Sequence, residues 1–489
     1  MGGGGMPGMP GMPGAGGGNP MDRQRGMGMP GGAMSGMPGM PGMPNLQNVR
    51  QKNLKGEDLP PLPELTLDPN GLPSGFTPSR EPPVWMTTDD EAPLHRFEEM
   101  PAKEQKQVLS RVTAIRQAGA FANDDERKLI EEYVEFKLAQ LTRKGNRLGG
   151  KTPAHELQDK FYREINPVNL AKSDKPEVRV FMASKVVGLA SQFLNNYHLV
   201  PRVQTAILLA RLSELVEVQG NGPQAPPVQF TKALPELLAL LKQDKANTPA
   251  GVRAWGIVGA VKLYGVQNLK IGERSKIVET LVEQINKSGD EPWWNQWRMV
   301  EAMGQIRVTS LADKKPIVAQ ALARVLIDES RDWLVRSEAA TALGQLNYET
   351  GTDLGLIAFE IGQMAKQMTD AYLKDPTNRR WKLCYIKVYG AFKPTDANGT
   401  GTGLLKQAQE RAALAAYRNP IGAVFDKVLP LVAGVVKKSE TVATTQEELA
   451  KFLAENPPKV DRIHSAEEPL HSKQPLGASQ QPTVPPAGG

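Results

Sequence analysis

Residues 332–346 read Asp332-Trp333-Leu334-Val335-Arg336-Ser337-Glu338-Ala339-Ala340-Thr341-Ala342-Leu343-Gly344-Gln345-Leu346. Apolar and small side chains recur at helical spacing and no proline interrupts them, which predicts a helix. Ala339, Ala340 and Ala342 let adjacent helices approach closely, and Gly344 is expected at a tight helix–helix contact or near a helix end. About forty residues upstream the register returns, with Trp293 aligned to Trp333 and Gly304 in Met303-Gly304-Gln305-Ile306 aligned to Gly344. Pro249-Ala250-Gly251-Val252-Arg253-Ala254-Trp255 opens another copy and Pro176-Glu177-Val178-Arg179 another. A degenerate copy runs from Arg379-Arg380-Trp381 to Tyr389-Gly390.

A second amphipathic segment precedes the copies, at 234–241, 277–285, 317–327 and 354–368. Residues 201–216, with Val203, Ile207, Leu208, Leu212 and Leu215, belong to an imperfect unit. A period near 40 with two helices per unit is the signature of HEAT or armadillo arrays. The acidic or Pro-containing turn, the Val-Arg pair, the small residues and Leu-Gly-x-Leu resemble the second helix of a HEAT repeat, over roughly residues 170–440. The resemblance implies an all-α fold, a HEAT-like α-solenoid of helical hairpins with long disordered N- and C-terminal tails. One hairpin cannot bury both of its apolar faces, so the next unit must cover it. The Val-Arg arginine is expected to be structural, bonding a turn acid or a carbonyl of the neighbouring repeat. Two copies depart from the pattern: Gln296 stands where the arginine belongs, and the copy at 379–390 lacks the Val.

Outward from the array, residues 96–169 read as an N-terminal helical region. Pro101 opens a helix carrying Val108, Leu109, Val112 and Ile115. Asn123-Asp124-Asp125 caps one carrying Leu129, Ile130, Tyr133, Phe136, Leu138 and Leu141. Residues 144–151 read as a Gly-rich basic loop, and a shorter helix near 153–165 ends at Asn166-Pro167. On the other side, residues 425–436 form an apolar terminal helix. Residues 441–489 read as a short capped helix and a disordered tail: Thr445-Gln446-Glu447-Glu448 is a capping box, Asn456-Pro457-Pro458 stops the helix, and disorder is expected from residue 457. Residues 1–95 read as a disordered Gly/Met/Pro-rich tail and a Pro-rich linker. Gly, Met and Pro fill 36 of the first 44 positions, too little apolar area to offset chain entropy. In a polyproline-II conformation Met6, Met9 and Met12 form one ridge. Residues 45–95 are either a free linker or an extended strap against the body.

Composition excludes several classes. A single cysteine, Cys384, in 489 residues rules out an intramolecular disulfide framework. No run of about 18 apolar residues occurs, so a membrane-spanning helix is expected to be ruled out. The start, Met1-Gly2-Gly3-Gly4-Gly5, has neither the basic nor the apolar region of a signal peptide. A cytoplasmic location is therefore expected, subject to an upstream signal peptide outside this chain. The formal charge of +6 combines −4 over the first 100 residues with +10 over the rest, a weak excess for a nucleic-acid footprint.

Candidate chemistry is thin. His95, His155, His198, His464 and His471 are scattered without metal-ligand spacing. Cys384 lies among Trp381, Leu383, Tyr385 and Ile386 and reads as a buried thiol rather than a nucleophile. Asp396-Ala397-Asn398-Gly399-Thr400-Gly401 imitates the start of a calcium loop, but the twelfth position is Gln407, not the bidentate Glu, so an inter-helix loop is the better reading. The Gly-Thr-Gly-Thr-Gly run has no preceding strand and no Lys for a phosphate loop. Tail methionines suit a soft metal such as Cu(I), but a plain spacer explains them better. No catalytic residue, metal or cofactor is expected.

The tryptophans are more informative. Six of seven lie in the array: Trp255, Trp293, Trp294, Trp297, Trp333 and Trp381. Trp293 and Trp297 share a helical face and Trp294 points elsewhere. They either pack between repeats or form an exposed ladder that anchors a peptide. In the second reading Trp293, Trp294, Trp297, Trp333 and Trp381, with Arg298, Arg379 and Arg380, form the partner-binding set. The expected function is a non-enzymatic scaffold for a protein or peptide, with the oligomeric state open. One alternative is a nucleic-acid-binding HEAT-like protein similar to DNA glycosylases, using Trp293, Trp294, Trp333 and Asp332. Another is an envelope or assembly protein with an adhesive Gly-Met-Pro tail.

Overall fold

A computed structural model describes residues 90–147, 152–166, 176–213, 229–310, 316–394 and 401–472. The expectations for 1–89, 148–151, Pro167, Leu215, 396–400 and 473–489 lie outside the described residues. Among the described residues the fold is all-helical; its only β contacts are the isolated bridges Ser213–Gln229 and Thr352–His464.

The first helices are α1 (Arg96–Glu99), α2 (Ala102–Ala118), α3 (Asp124–Thr142), α4 (Lys144–Arg147) and α5 (Ala154–Ile165). Asn123 starts α3 as expected, its side-chain oxygen accepting from Glu126 N–H at 3.0 Å. Phe97, Tyr133, Phe136 and Phe161 form an aromatic cluster around α3. Where a basic loop was expected, residues 144–147 wind into the single turn α4. Asn146 Nδ2 donates to Gln140 O at 2.8 Å and Arg147 Nε to Thr142 O at 2.8 Å, satisfying carbonyls that the end of α3 leaves open.

Next come α6 (Glu177–Asn195) and α7 (Leu199–Arg211), followed by four pairs: α8 (Leu234–Lys242) with α9 (Ala250–Tyr264), α10 (Ile271–Asn286) with α11 (Trp293–Ile306), α12 (Ile317–Ile327) with α13 (Trp333–Gln345), and α14 (Leu354–Lys374) with α15 (Arg380–Phe392). The chain closes with α16 (Leu404–Glu410), α17 (Arg418–Lys437) and α18 (Val442–Glu455). Two rows result. Helices α7, α9, α11, α13, α15 and α17 each pack on the next, and α8, α10, α12 and α14 form the other row, which α18 extends. Helix α13 is the most enclosed: every residue from Leu334 to Gly344 is buried. Its polar side chains are accordingly bonded. Ser337 Oγ donates to Leu334 O at 3.2 Å and Thr341 Oγ1 to Lys387 O, across on α15, at 2.7 Å.

The Val-Arg arginines Arg253 and Arg336 are buried and bond neighbouring segments. Arg336 Nε donates to Leu326 O at 2.8 Å, near the end of α12, and its second terminal nitrogen to Gln367 at 2.6 Å. Arg253 Nε donates to Thr248 O at 3.1 Å and its guanidinium grips Glu291 of the following hairpin at 2.6 Å. The imperfect unit has its own copy: Arg202 of α7 donates to Leu194 O, to Asn247 O at 2.9 Å and to Asn195 O at 3.1 Å. The departure at Gln296 is compensated from outside its helix. Arg331, in the turn before α13, donates to Ile285 O at 3.2 Å, the counterpart of Leu326 O, and to Gln296 Oε1 at 3.0 Å. At 379–390 the corresponding position is Cys384, fully buried.

The two aligned glycines sit where helices nearly touch. A Cβ at Gly304 would lie 2.9 Å from Ala342 Cβ, and one at Gly344 would lie 2.7 Å from Ala391 Cα. Gly344 is both at a tight contact and one residue from its helix end.

Four expectations for the C-terminal part need correction. Helix α17 begins at Arg418, well before Phe425, and tolerates Pro430 on its exposed side. The segment Ala412–Lys437 is also, by length and composition, apolar enough to cross a membrane, despite Arg418, Asp426 and Lys427. Here its buried face, including Ile421, Phe425, Val428 and Leu431, packs on α14, α15 and α18. Helix α18 begins at Val442 rather than behind a capping box at Thr445. Val442 is buried against Gly434, and Thr445 Oγ1 donates back to Thr441 O at 2.8 Å. Finally, residues 457–472 are ordered against the body. Ile463 and Leu470 are each 1% exposed, and Asp353 N–H donates to Ile463 O at 2.7 Å.

Candidate functional site

The sequence-selected residues fall on three consecutive helices of one row, α11, α13 and α15. Helix geometry sorts them. Trp293, first residue of α11, is 37% exposed, and the Arg380 guanidinium of α15 lies 4.9 Å from its ring centroid. Arg380 is held there by Asp332 at 3.4 Å, while the other Asp332 oxygen caps α13 by accepting from Leu334 N–H at 2.8 Å. Arg379 is exposed at the N-cap of α15.

One turn further along, Trp297 is half-buried and donates Nε1–H to Glu338 of α13 at 2.6 Å. Lys387 of α15 pairs with the same carboxylate at 2.7 Å. Arg298 covers the Trp297 ring at 4.7 Å and pairs with Glu301 at 2.7 Å. A polar relay thus links all three helices. Burial pushes the Glu338 carboxyl above its ordinary value of 4.5, against the opposing pull of Lys387 and the Trp297 N–H.

That shift has a measurable consequence. A carboxyl whose pKa is raised by folding binds more protons folded than unfolded, so its contribution to stability falls as pH rises from about 4.5. Glu338→Gln removes this titration. Urea unfolding of both proteins between about pH 4 and pH 7 should show the variant gaining on the parent as pH rises. A difference that stays constant with pH would contradict the assignment.

The remaining residues divide differently from the expected ladder. Trp333 is half-buried, covered by Arg336 at 4.6 Å and packed on Trp381 at 6.2 Å. Trp381 is only 6% exposed, with its Nε1–H donated to Asp375 O at 2.7 Å and Tyr372 edge-on to its ring. It packs between helices and presents no face to solvent, which corrects its place in the surface set. Trp294 is half-buried on another side of α11. Trp293 therefore stands as the exposed aromatic of the set.

The structure adds two residues that sequence reasoning missed. Leu383 and Ile386 of α15 are 46% and 39% exposed. They lie one and two turns along from Arg380, outside the buried stripe of Trp381, Cys384, Tyr385, Val388 and Phe392. That off-stripe aliphatic pair, three residues apart, was the readable signal. Lys382 is exposed beside them.

The other candidates resolve into packing. Cys384 is buried and its thiol is pushed up to about 11 by burial. His95 and His198 serve as N-caps of α1 and α7. Gln407, twelfth in the calcium-like run, is buried and donates to Gly344 O at 3.0 Å. Among the described residues no group of three or more His, Cys, Asp or Glu side chains stands close enough to hold a metal ion. No family model, curated protein or solved structure matches the chain.

Proposed function

We propose that this chain is a non-enzymatic, HEAT-like α-solenoid scaffold that docks a protein or peptide on the exposed end of α11, α13 and α15. The observation that carries the reading is the exposed Trp293 ring with the Arg380 guanidinium over it, Arg380 standing on the helix that also exposes Leu383 and Ile386. An exposed tryptophan paired with an arginine is the composition in which binding hot spots are enriched. The rows of stacked helices, the buried arginines between helix pairs and the glycine contacts support the solenoid reading, in which each hairpin's apolar face lies under the next.

A protein partner suits the charge arrangement better than a nucleic acid. Arg298, Arg380 and Lys387 already face Glu301, Asp332 and Glu338. Phosphate binding needs cations whose charge is not offset by neighbouring carboxylates. The test compares the full chain with a Trp293→Ala/Leu383→Asp/Ile386→Asp variant as affinity baits. The expected result is a discrete protein retained by the parent and reduced about tenfold or more with the variant, in line with losing a hot spot. Equal retention by both baits, or binding only to DNA or RNA in a low-salt gel shift, would overturn the reading.

A further inference from the structure

We infer that the other row of helices carries a second protein-docking groove, one that takes a looped peptide segment and is occupied by the chain's own residues 457–472. The groove runs over α12 and α14, and the seated segment shows what chemistry it accepts. Two aliphatic side chains, Ile463 and Leu470, are buried in it. A short β contact at one end joins Asp353 N–H to Ile463 O at 2.7 Å and pairs Thr352 with His464. At the other end Arg324 binds the Glu468 carboxylate at 3.1 Å, and Gln320 donates to the Glu468 carbonyl at 3.2 Å. His471 then reaches the buried Glu360 at 2.8 Å. The segment folds back on itself, Leu470 N–H donating to Asp461 O at 2.7 Å and Glu467 N–H to His464 O at 2.9 Å, so the groove holds a compact loop through its two buried aliphatics and these polar contacts.

The segment is also an incomplete fit. Pro458 to Arg462 wall one side of an open hollow of about 570 Å³ that Leu356, Phe359 and Glu360 line on the other. Val460 faces this hollow yet remains 40% exposed. Ile463 and Leu470 are the segment's buried side chains between Asn456 and Ser472. Ordering that length of backbone costs entropy at every residue, so two anchors and a few polar bonds hold it only marginally. A partner segment with aliphatic residues seven apart, a carboxylate two positions before the second, and a larger apolar group over Phe359 makes the same contacts and fills the hollow. The tethered segment acts as a local competitor, because a short connection to α18 keeps its effective concentration near the millimolar range.

The test uses the full chain and a fluorescein-labelled peptide of sequence 457–472. In an Ile463→Asp/Leu470→Asp chain the intramolecular segment cannot bury its anchors, so the groove is open. The peptide is expected to bind this variant at least tenfold more tightly than the parent, and a peptide carrying Leu470→Asp is expected to lose that binding. Equal affinity for parent and variant would overturn the inference, as would no binding to a variant whose helical circular dichroism matches the parent. Should that variant not fold, Glu468→Arg opposes Arg324 without touching the core. Faster amide exchange in 457–472 together with tighter peptide binding is expected there, and unchanged values of both would overturn the inference.

Discussion

Glu291→Ala is expected to destabilise the chain by about 3–5 kcal/mol, the usual cost of removing one partner from a buried ion pair. The carboxylate sits in the turn before α11, with its side chain 2% exposed, and meets Arg253 of the preceding hairpin at 2.6 Å, where the arginine side chain is 5% exposed. A second contact joins the same groups at 2.9 Å, and Asn295 adds a donor at 3.1 Å. Truncation leaves the Arg253 guanidinium desolvated, with only Thr248 O still in place. Replacing both members together, as Arg253→Met/Glu291→Leu, removes the charge instead of stranding it. The double variant should recover most of the loss. Urea unfolding of the single and double variants reads the difference. A single variant within about 0.5 kcal/mol of the parent, the range of ordinary surface substitutions, would show that the pair does not tie the hairpins together.

Gly344→Val should be comparably damaging for a steric reason. The contact that a Cβ meets there is the Ala391 backbone at 2.7 Å, not a side chain that can swing away. Helices α13 and α15 must separate to admit it, and overpacking of this kind costs about 1–3 kcal/mol or more. Gly188 of α6 is the informative control, because a Cβ there meets nothing within 4 Å. Gly188→Ala should stabilise by about 0.5–1 kcal/mol through helix propensity. Opposite signs at the two glycines, measured by thermal unfolding, are the expected result. A neutral Gly344→Val would mean that the two helices are not in contact.

The second helix of each pair was the most legible part of the fold. Leu334 to Gly344 carries its pattern without interruption, and the turns before these helices are marked by Pro249, Pro292 and Asp332. Arg331 was not legible, because it replaces the missing arginine beside Gln296 from a turn 35 residues further along. Spacing within one helix cannot reveal a donor supplied by the next hairpin. The order at 457–472 was hidden for a different reason. Three prolines and several charges dominate its composition, while Ile463 and Leu470 are its only buried side chains. Of the candidate site, Trp293 and Arg380 were picked by residue type, and residue type does not report accessibility. Trp381 satisfies its indole inside the packing, whereas Leu383 and Ile386, off the buried stripe of their helix, face solvent.

Residue-resolved amide exchange on the Glu291→Ala chain tests the stacked-hairpin account most directly. In an array held by nearest-neighbour interfaces, protection should fall most in α9 to α12 and decline outward, leaving α3 and its aromatic cluster close to the parent. A uniform loss of protection from α2 to α18 would contradict it, because that is the behaviour of a single cooperative core.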